Sequence, residues 1–415
     1  MSQCVYAAST HRHTDTVKNC TINLFVHIDC NSYFASCEVA TRPGLEGKPV
    51  VVANGNEAGG GVILALTAEA KALGLKRGIP LFKVRNLLRL NNVTICPADH
   101  KKYRRISRQI MDAVKQQQII LDFVQYSVDE FFGALPIEEP DEVRRYVQMV
   151  KDHITSTTHI PVSCGCSQTY TLAKVATHYA KHYSGYKGIC VLTPDKRHKA
   201  LSMLSIADVW GIGRKNRLKL MEKGITTAQD FADCDQHTVE TLFTVAGLRT
   251  WRELRGIPSI DLHRPATQRS IMQSRTFARM TERREDIEQS VRQFASSAAA
   301  HLRAQDSVCQ AVTVFLSTNR HRDDLQQYRN SGTVKLPSPT ADTPTIIKAA
   351  LAALSQLYRE GFLYKQAGVV LTDISQSQGM QLDLFNEPAD QRHRKLMQIA
   401  DQLNKRFGDN TVFFN

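Results

Sequence analysis

Three acids in this chain stand where hard cations could be held. Asp29 closes a short apolar run, 24–28, that has the look of a buried strand, and Asp129 and Glu130 sit side by side inside a second apolar and aromatic run, 123–135. Carboxylates at strand ends hold divalent ions firmly on oxygen ligands. A pair of such ions is what phosphoryl or nucleotidyl transfer requires: they lower the pKa of an attacking hydroxyl, bridge a polyphosphate and neutralise developing charge. Neighbours on a regular strand point to opposite faces, so Asp129 and Glu130 can serve one site only if 127–130 bends or bulges. Spacing alone leaves a plainer alternative open, in which these acids are solvated turn residues.

A second segment with chemistry in it is 209–225, VWGIGRKNRLKLMEKGI, which reads as helix-hairpin-helix. Gly211 and Gly213 let the hairpin backbone come close to a phosphate, and the next helix start offers free N–H groups. Arg214, Lys215, Arg217, Lys219 and Lys223 surround it against one acid, Glu222. A G-x-G at a helix start is equally a plain turn; the basic cluster tips the reading towards DNA, through contacts that are sequence-independent and salt-sensitive.

The elements that must position these groups follow from periodicity. Residues 22–182 alternate strand and helix patterns: strands near 24–28, 49–53, 61–66 and 162–166, helices near 67–73, 99–116, 141–156 and 169–182. This is an α+β core. Residues 183–262 read as short helices, and 268–375 as a further αβ unit with strands near 271–277, 310–317 and 366–373 and helices near 284–305 and 345–360. The basic, proline-bearing stretch 252–269 reads as a linker. Residues 1–21 are polar and are read as a flexible extension, and a last helix is expected at 390–407 after a polar tail.

Composition sets the outer limits. A formal net charge of +13 on 415 residues favours a polyanionic partner, nucleic acid first. No apolar run approaches membrane-spanning length, so a membrane partner is not expected. Ten cysteines include no C-x-x-C pair, which argues against a zinc ribbon or a thioredoxin site. Cys164 and Cys166 share one face of a strand pattern and read as buried, and free cysteines fit a reducing cytoplasm.

Several runs, in order, resemble the Y family of DNA polymerases in its UmuC/MucB form. HIDCNSYFASCE (27–38) resembles the first motif and YSVDEFFGAL (126–135) the second; AEAKALGLKRGIP (68–80) is similar to the fingers segment between them. CGCSQTYTLAKVATHYAK (164–181) resembles the stretch after the second motif, DVWGIG (208–213) the thumb hairpin, and SRTF (274–277) and QAGVVLTD (366–373) the fourth domain. The resemblance implies a multidomain right hand: a ferredoxin-like palm (22–32 and 99–182), small fingers (33–98), a helical thumb (183–262), an αβ little finger (263–375) and a tail (376–415).

It also implies roles. Asp29, Asp129, Glu130 and the main chain of Cys30 would bind two Mg²⁺ ions. Ser32 and Tyr33 amides would cradle phosphates, and Phe34 would be the steric gate that leaves no room for a ribose 2′-hydroxyl. Lys174 matches the triphosphate lysine, and Lys71 stands where many relatives carry arginine. Arg275, with Arg214, Lys215 and Arg217, would follow DNA phosphates. Gln381, Leu382, Leu384 and Phe385 resemble a peptide that plugs the groove of the bacterial sliding clamp. The partners implied are primer-template DNA, deoxynucleotides, the clamp, a UmuD′-type accessory dimer and a recombinase filament, and the activity is error-prone synthesis past damaged template in the damage response. Two rivals remain: a DNA- and clamp-binding scaffold with weak catalysis, and another two-metal palm enzyme such as a nucleotide cyclase.

Overall fold

The computed structural model describes residues 24–55, 61–137, 139–263, 268–377, 391–408 and 411–412. The chain divides into two compact units at Arg264/Pro265. In the first, a five-stranded sheet is built on β1 (Leu24–Cys30), which carries α1 (Tyr33–Ala40) directly behind it. A small three-stranded sheet follows: β2 (Val50–Ala53), β3 (Ile63–Leu66), α2 (Ala68–Ala72), α3 (Arg85–Leu90) and β4 (Thr94–Pro97), in the order β3-β2-β4. The chain then returns through α4 (His100–Gln116), β5 (Leu121–Gln125), β6 (Glu130–Leu135), α5 (Pro140–Thr158), β7 (Val162–Ser167), α6 (Tyr170–His182) and β8 (Ile189–Val191) to complete the order β5-β6-β1-β7-β8.

The alternation of β1 decides what lies on each face. Leu24, Val26, Ile28 and Cys30 join one apolar core with Tyr103, Ile106 and Ile110 of α4 and Val143, Val147 and Val150 of α5. The intervening Phe25, His27 and Asp29 therefore face the other way, towards α6. Gly165 of β7 lets that helix lie flat on the sheet: a Cβ there would stand 2.2 Å from Thr177 N and 2.3 Å from Ala173 O. Side-chain caps fix the helix starts: Asp99 accepts from the amides of Lys101 and Lys102, and Thr169 from Leu172.

Five helices complete this unit: α7 (Pro194–Met203), α8 (Arg214–Glu222), α9 (Ala228–Ala232), α10 (Gln236–Leu242) and α11 (Val245–Leu254). They share a core with the outer side of α6 through Leu172, Val175 and Tyr179. The buried Glu253 of α11 ties them down. Its carboxylate accepts from the amides of Thr171, Ser259 and Ile260, and its carbonyl accepts from the Thr169 hydroxyl. The expectation of short helices over 183–262 misses β8, a three-residue strand that extends the sheet beside β7.

The second unit pairs four long antiparallel strands, β9 (Ile271–Thr281), β10 (Ser307–Thr318), β11 (Arg329–Thr340) and β12 (Tyr364–Gln376), in the order β11-β10-β12-β9. Helices α12 (Arg284–Ala304) and α13 (Thr343–Leu357) share its core, and Ala295, Ala298, Ala299, Ala350 and Ala353 let them pack closely. The last helix, α14 (Gln391–Phe407), is fixed to α12 by a two-pronged Arg303–Asp401 pair, with both N–O distances 2.7 Å. Among the described residues no helix is long and apolar enough to cross a membrane. The segment 381–385 lies outside the described residues, as does 1–21.

Candidate active site

The turn 126–129 answers the difficulty of two adjacent acids. Asp129 is not in β6; it closes the bend between β5 and β6, while Glu130 is the first residue of the strand. Ser127 makes the bend. Its hydroxyl oxygen accepts from the amides of Asp129 and Glu130 and donates to Asp129 Oδ1 at 2.7 Å, a local pattern that serine favours. The Cys30 amide donates to the Asp129 carbonyl at 2.9 Å, and Asp29 lies opposite Glu130 in the antiparallel register. Asp29 is thus set beside Asp129 and Glu130, far from it in sequence, at one end of the central strands.

Two lysines answer two of the acids. Lys174 Nζ donates to Glu130 Oε1 at 2.7 Å and Lys181 Nζ to Asp29 Oδ1 at 2.6 Å. The lysines are seven apart, two turns along one face of α6, so a single helix supplies both. Burial works against ionisation of Glu130, but His27 and Lys174 outweigh it and hold its carboxyl down at about 2. Asp129 goes the other way: burial raises its pKa, the Ser127 hydroxyl lowers it, and the charges of Asp29 and Glu130 raise it further. His27 is buried and hydrogen-bonded to Thr177 Oγ1 through Nδ1. Its Nε2 stands 3.4 Å from Glu130 Oε1 without the alignment of a hydrogen bond, and burial lowers the pKa of this imidazole.

This arrangement suits hard cations in donor type, since it offers carboxylate and main-chain oxygens whose charges repel one another. Among the described residues no group of three or more His, Cys, Asp or Glu side chains converges on one point as a metal would require. Glu130 and Asp29 are engaged instead by Lys174 and Lys181.

The residues expected at the nucleotide gather around α1. Ser32 adopts a left-handed conformation, φ 49°, and its hydroxyl accepts from Lys71 Nζ at 2.8 Å, which joins α2 to the turn before α1. Tyr33 is buried and donates to the Tyr103 carbonyl at 2.6 Å. The Phe34 ring lies flat on Tyr103, centroids 4.4 Å apart and planes 15° apart, with His100 at its edge. Behind them the fully buried Glu38 accepts from the Tyr103 hydroxyl at 2.7 Å and from Lys102 at 2.7 Å, and pairs with Arg42.

The hairpin residues belong to the helical part of the unit. Gly211 has φ +87°, and a Cβ there would stand 2.8 Å from Thr250 Oγ1, so both conformation and space call for glycine. Gly213 has neither demand; it starts α8 without any side-chain cap, leaving the first amides of that helix free of side-chain partners. Arg214 and Lys215 are exposed, while Arg217 is half-buried, with an Nε that finds no partner among the described residues. Arg275 is exposed on β9, opposite Ala367.

Comparison with known proteins gives a consistent answer. Residues 28–178 match the model of the impB/mucB/samB family, and residues 268–384 that of the impB/mucB/samB family C-terminal domain. The chain is 34% identical over 397 residues to Protein UmuC of Salmonella typhimurium, which covers 94% of this chain and 93% of that protein. It belongs to the impB/mucB/samB family. The family resemblance extends at 26% identity over 400 residues to DNA polymerase IV of Desulfatibacillum aliphaticivorans, covering 94% of this chain and 96% of that one. The fold is that of Y-family polymerases: a Y-family DNA polymerase chimera of Dbh and Dpo4 superposes with a TM-score of 0.66 at 20% identity, over 85% of this chain and 99% of that one.

In this impB/mucB/samB chain, sequence reasoning singled out Lys174 but passed over Lys181, His27, Glu38 and Trp210. The signals were present for two of them. His27 shares the strand face of Asp29, and Lys181 shares the helix face of Lys174. Trp210 had no signal and Glu38 only its i,i+4 pair with Arg42, because their partners Tyr126 and Tyr103 are brought to them only by the fold.

Proposed function

We propose that the chain is a translesion DNA polymerase, adding deoxynucleotides to a primer 3′ end on damaged template. The observation that carries the reading is the joining of Asp29, Asp129 and Glu130 by the β1–β6 register and the Ser127 turn, within a chain of this family. Asp29, Asp129, Glu130 and the Cys30 main chain would hold two Mg²⁺ ions. Such ions lower the pKa of the primer hydroxyl and take up charge on the polyphosphate. Ser32, Tyr33 and Lys71 would meet phosphates, and Lys174 would contact the triphosphate once Glu130 took another partner. Phe34, backed by Tyr103, sets the sugar. The reading places the enzyme in the cytoplasm and in the damage response, with a UmuD′-type accessory dimer and a recombinase filament as further partners.

The test is extension of a primer across an abasic site, with and without the bacterial sliding clamp. The chain should extend past the lesion, and the clamp should lengthen its products, because tethering raises the local concentration of enzyme at the primer end. Leu384→Ala with Phe385→Ala should leave short extension unchanged without clamp and remove the stimulation. No extension on undamaged template would sink the polymerase reading; normal stimulation of the double variant would sink the clamp peptide.

The hairpin carries a separate expectation. Removing Arg214, Lys215 and Arg217 together should weaken DNA binding alike for all sequences and flatten the dependence on salt by about two to three counterions per complex. Titration by fluorescence anisotropy between low and moderate salt checks it; a loss confined to one sequence would refute phosphate contact.

A further inference from the structure

The ammonium of Lys174 is enclosed by more than its carboxylate. Three rings stand around it: Tyr126 with its centroid 4.9 Å from Nζ, Trp210 at 5.0 Å and Phe132 at 5.7 Å. These are distances at which a ring face attracts a cation. The rings also hold one another. Trp210 meets Tyr126 edge-on, centroids 5.4 Å apart, and its Nε1–H donates to the Tyr126 hydroxyl at 3.2 Å. It stacks on Phe132 at 5.7 Å, and the buried Phe132 is wedged between His27 and Tyr170.

Trp210 comes from neither the sheet nor α6. It stands at the mouth of the hairpin, between the buried Val209 and Ile212, and next to Gly211, where Thr250 leaves no room for a Cβ. One element whose basic helix is read as a DNA contact thus delivers one wall of a cage around the lysine read as a triphosphate contact. We propose that Trp210 is a positioning residue for Lys174, coupling the hairpin to nucleotide binding; this rests on the reading of Lys174 given above.

The physical case turns on what each partner can keep doing. A lysine ammonium is a point charge on a flexible stem, and aiming it costs rotamer freedom. Glu130 aims it here, but a carboxylate that takes another partner lets it go. The rings carry no charge to be neutralised and no second task at the acids. They can hold the ammonium in place and leave its charge free for a polyphosphate. A tryptophan that merely filled space would do none of this, and leucine would serve as well.

That contrast supplies the experiment. Steady-state incorporation of one deoxynucleotide is measured at saturating primer-template for Trp210→Leu, Trp210→Phe, Lys174→Ala and the double variant Trp210→Leu/Lys174→Ala, with DNA affinity measured without nucleotide. Trp210→Leu should raise the nucleotide KM about tenfold, as expected for loss of a partly desolvated cation–ring contact, with kcat within about twofold and DNA affinity held. Trp210→Phe should stay near the parent KM. Adding Trp210→Leu to Lys174→Ala should change nothing further, since the cage then has no guest. A Trp210→Leu chain that behaves as the parent, or whose defect adds in full to that of Lys174→Ala, overturns the cage alone. A Lys174→Ala chain with unchanged nucleotide KM overturns the reading of Lys174, and the cage with it.

Discussion

Asp129→Asn is expected to abolish primer extension while leaving DNA binding and fold intact. The loss should be on the order of a thousandfold or more, about 4 kcal/mol of transition-state stabilisation at 1.36 kcal/mol per decade. Asparagine matches the shape of Asp129 and can keep the Ser127 hydroxyl as a partner, and the turn is held independently by the Cys30 amide on the Asp129 carbonyl. What it removes is one negative charge that burial and the neighbouring Asp29 and Glu130 already disfavour. Stability should therefore stay level or rise while activity vanishes.

Glu130→Gln gives the opposite contrast at the same site. It should also abolish extension, but it should lower the melting temperature, because its carboxylate is held ionised by His27 and Lys174. The sign follows from linkage. A carboxyl depressed in the folded state stabilises above its unfolded pKa, and that contribution fades as pH falls from about 4.5 towards about 2; at neutral pH it is worth about 3 kcal/mol. Melts of the two variants at neutral pH, beside single-turnover extension and anisotropy titration, check the pair. Extension by either variant within tenfold of the parent would remove these acids from catalysis.

How much of this was legible in the sequence depends on whether a contact is local. The bend at 127–130 was demanded in advance by two adjacent acids, and Ser127 supplies it through hydrogen bonds to its own neighbours. The helix starts expected at 99 and 169 are local in the same way: each carries a side-chain cap, which needs only the next three residues. Strand β11 was missed because Pro337 and Pro339 speak against a strand. At a sheet edge prolines are tolerated, and whether a strand is an edge is a property of the assembled sheet. β8 was missed because three residues carry no period. The ring cage and the Glu38 cluster were invisible because Tyr126 and Trp210 are 84 residues apart, and Glu38 and Tyr103 are 65 apart.

That second cluster bears on sugar selection. Phe34→Ala should raise the efficiency of ribonucleotide insertion relative to deoxynucleotide on the order of a hundredfold, the scale on which a close-fitting apolar wall discriminates one added group. A gate would exclude a hydroxyl only if it could not retreat, and the packing behind this ring opposes retreat. Phe34 rests flat against Tyr103, and Tyr103 is pinned twice, by its hydroxyl on Glu38 and by the Tyr33 hydroxyl on its carbonyl. Glu38 is itself fixed by Lys102 and Arg42, so the ring is backed by a buried carboxyl with two basic partners. Alanine opens the space in front of Tyr103 without touching that support. Phe34→Leu, which keeps part of the bulk, should fall between the parent and alanine. Single-nucleotide insertion of matched ribo- and deoxynucleotides, with kcat and KM taken separately, measures the ratio. If Phe34→Ala lowers stability but leaves that ratio unchanged, the ring is core packing of α1 against α4, and selection of the sugar must be sought at another residue.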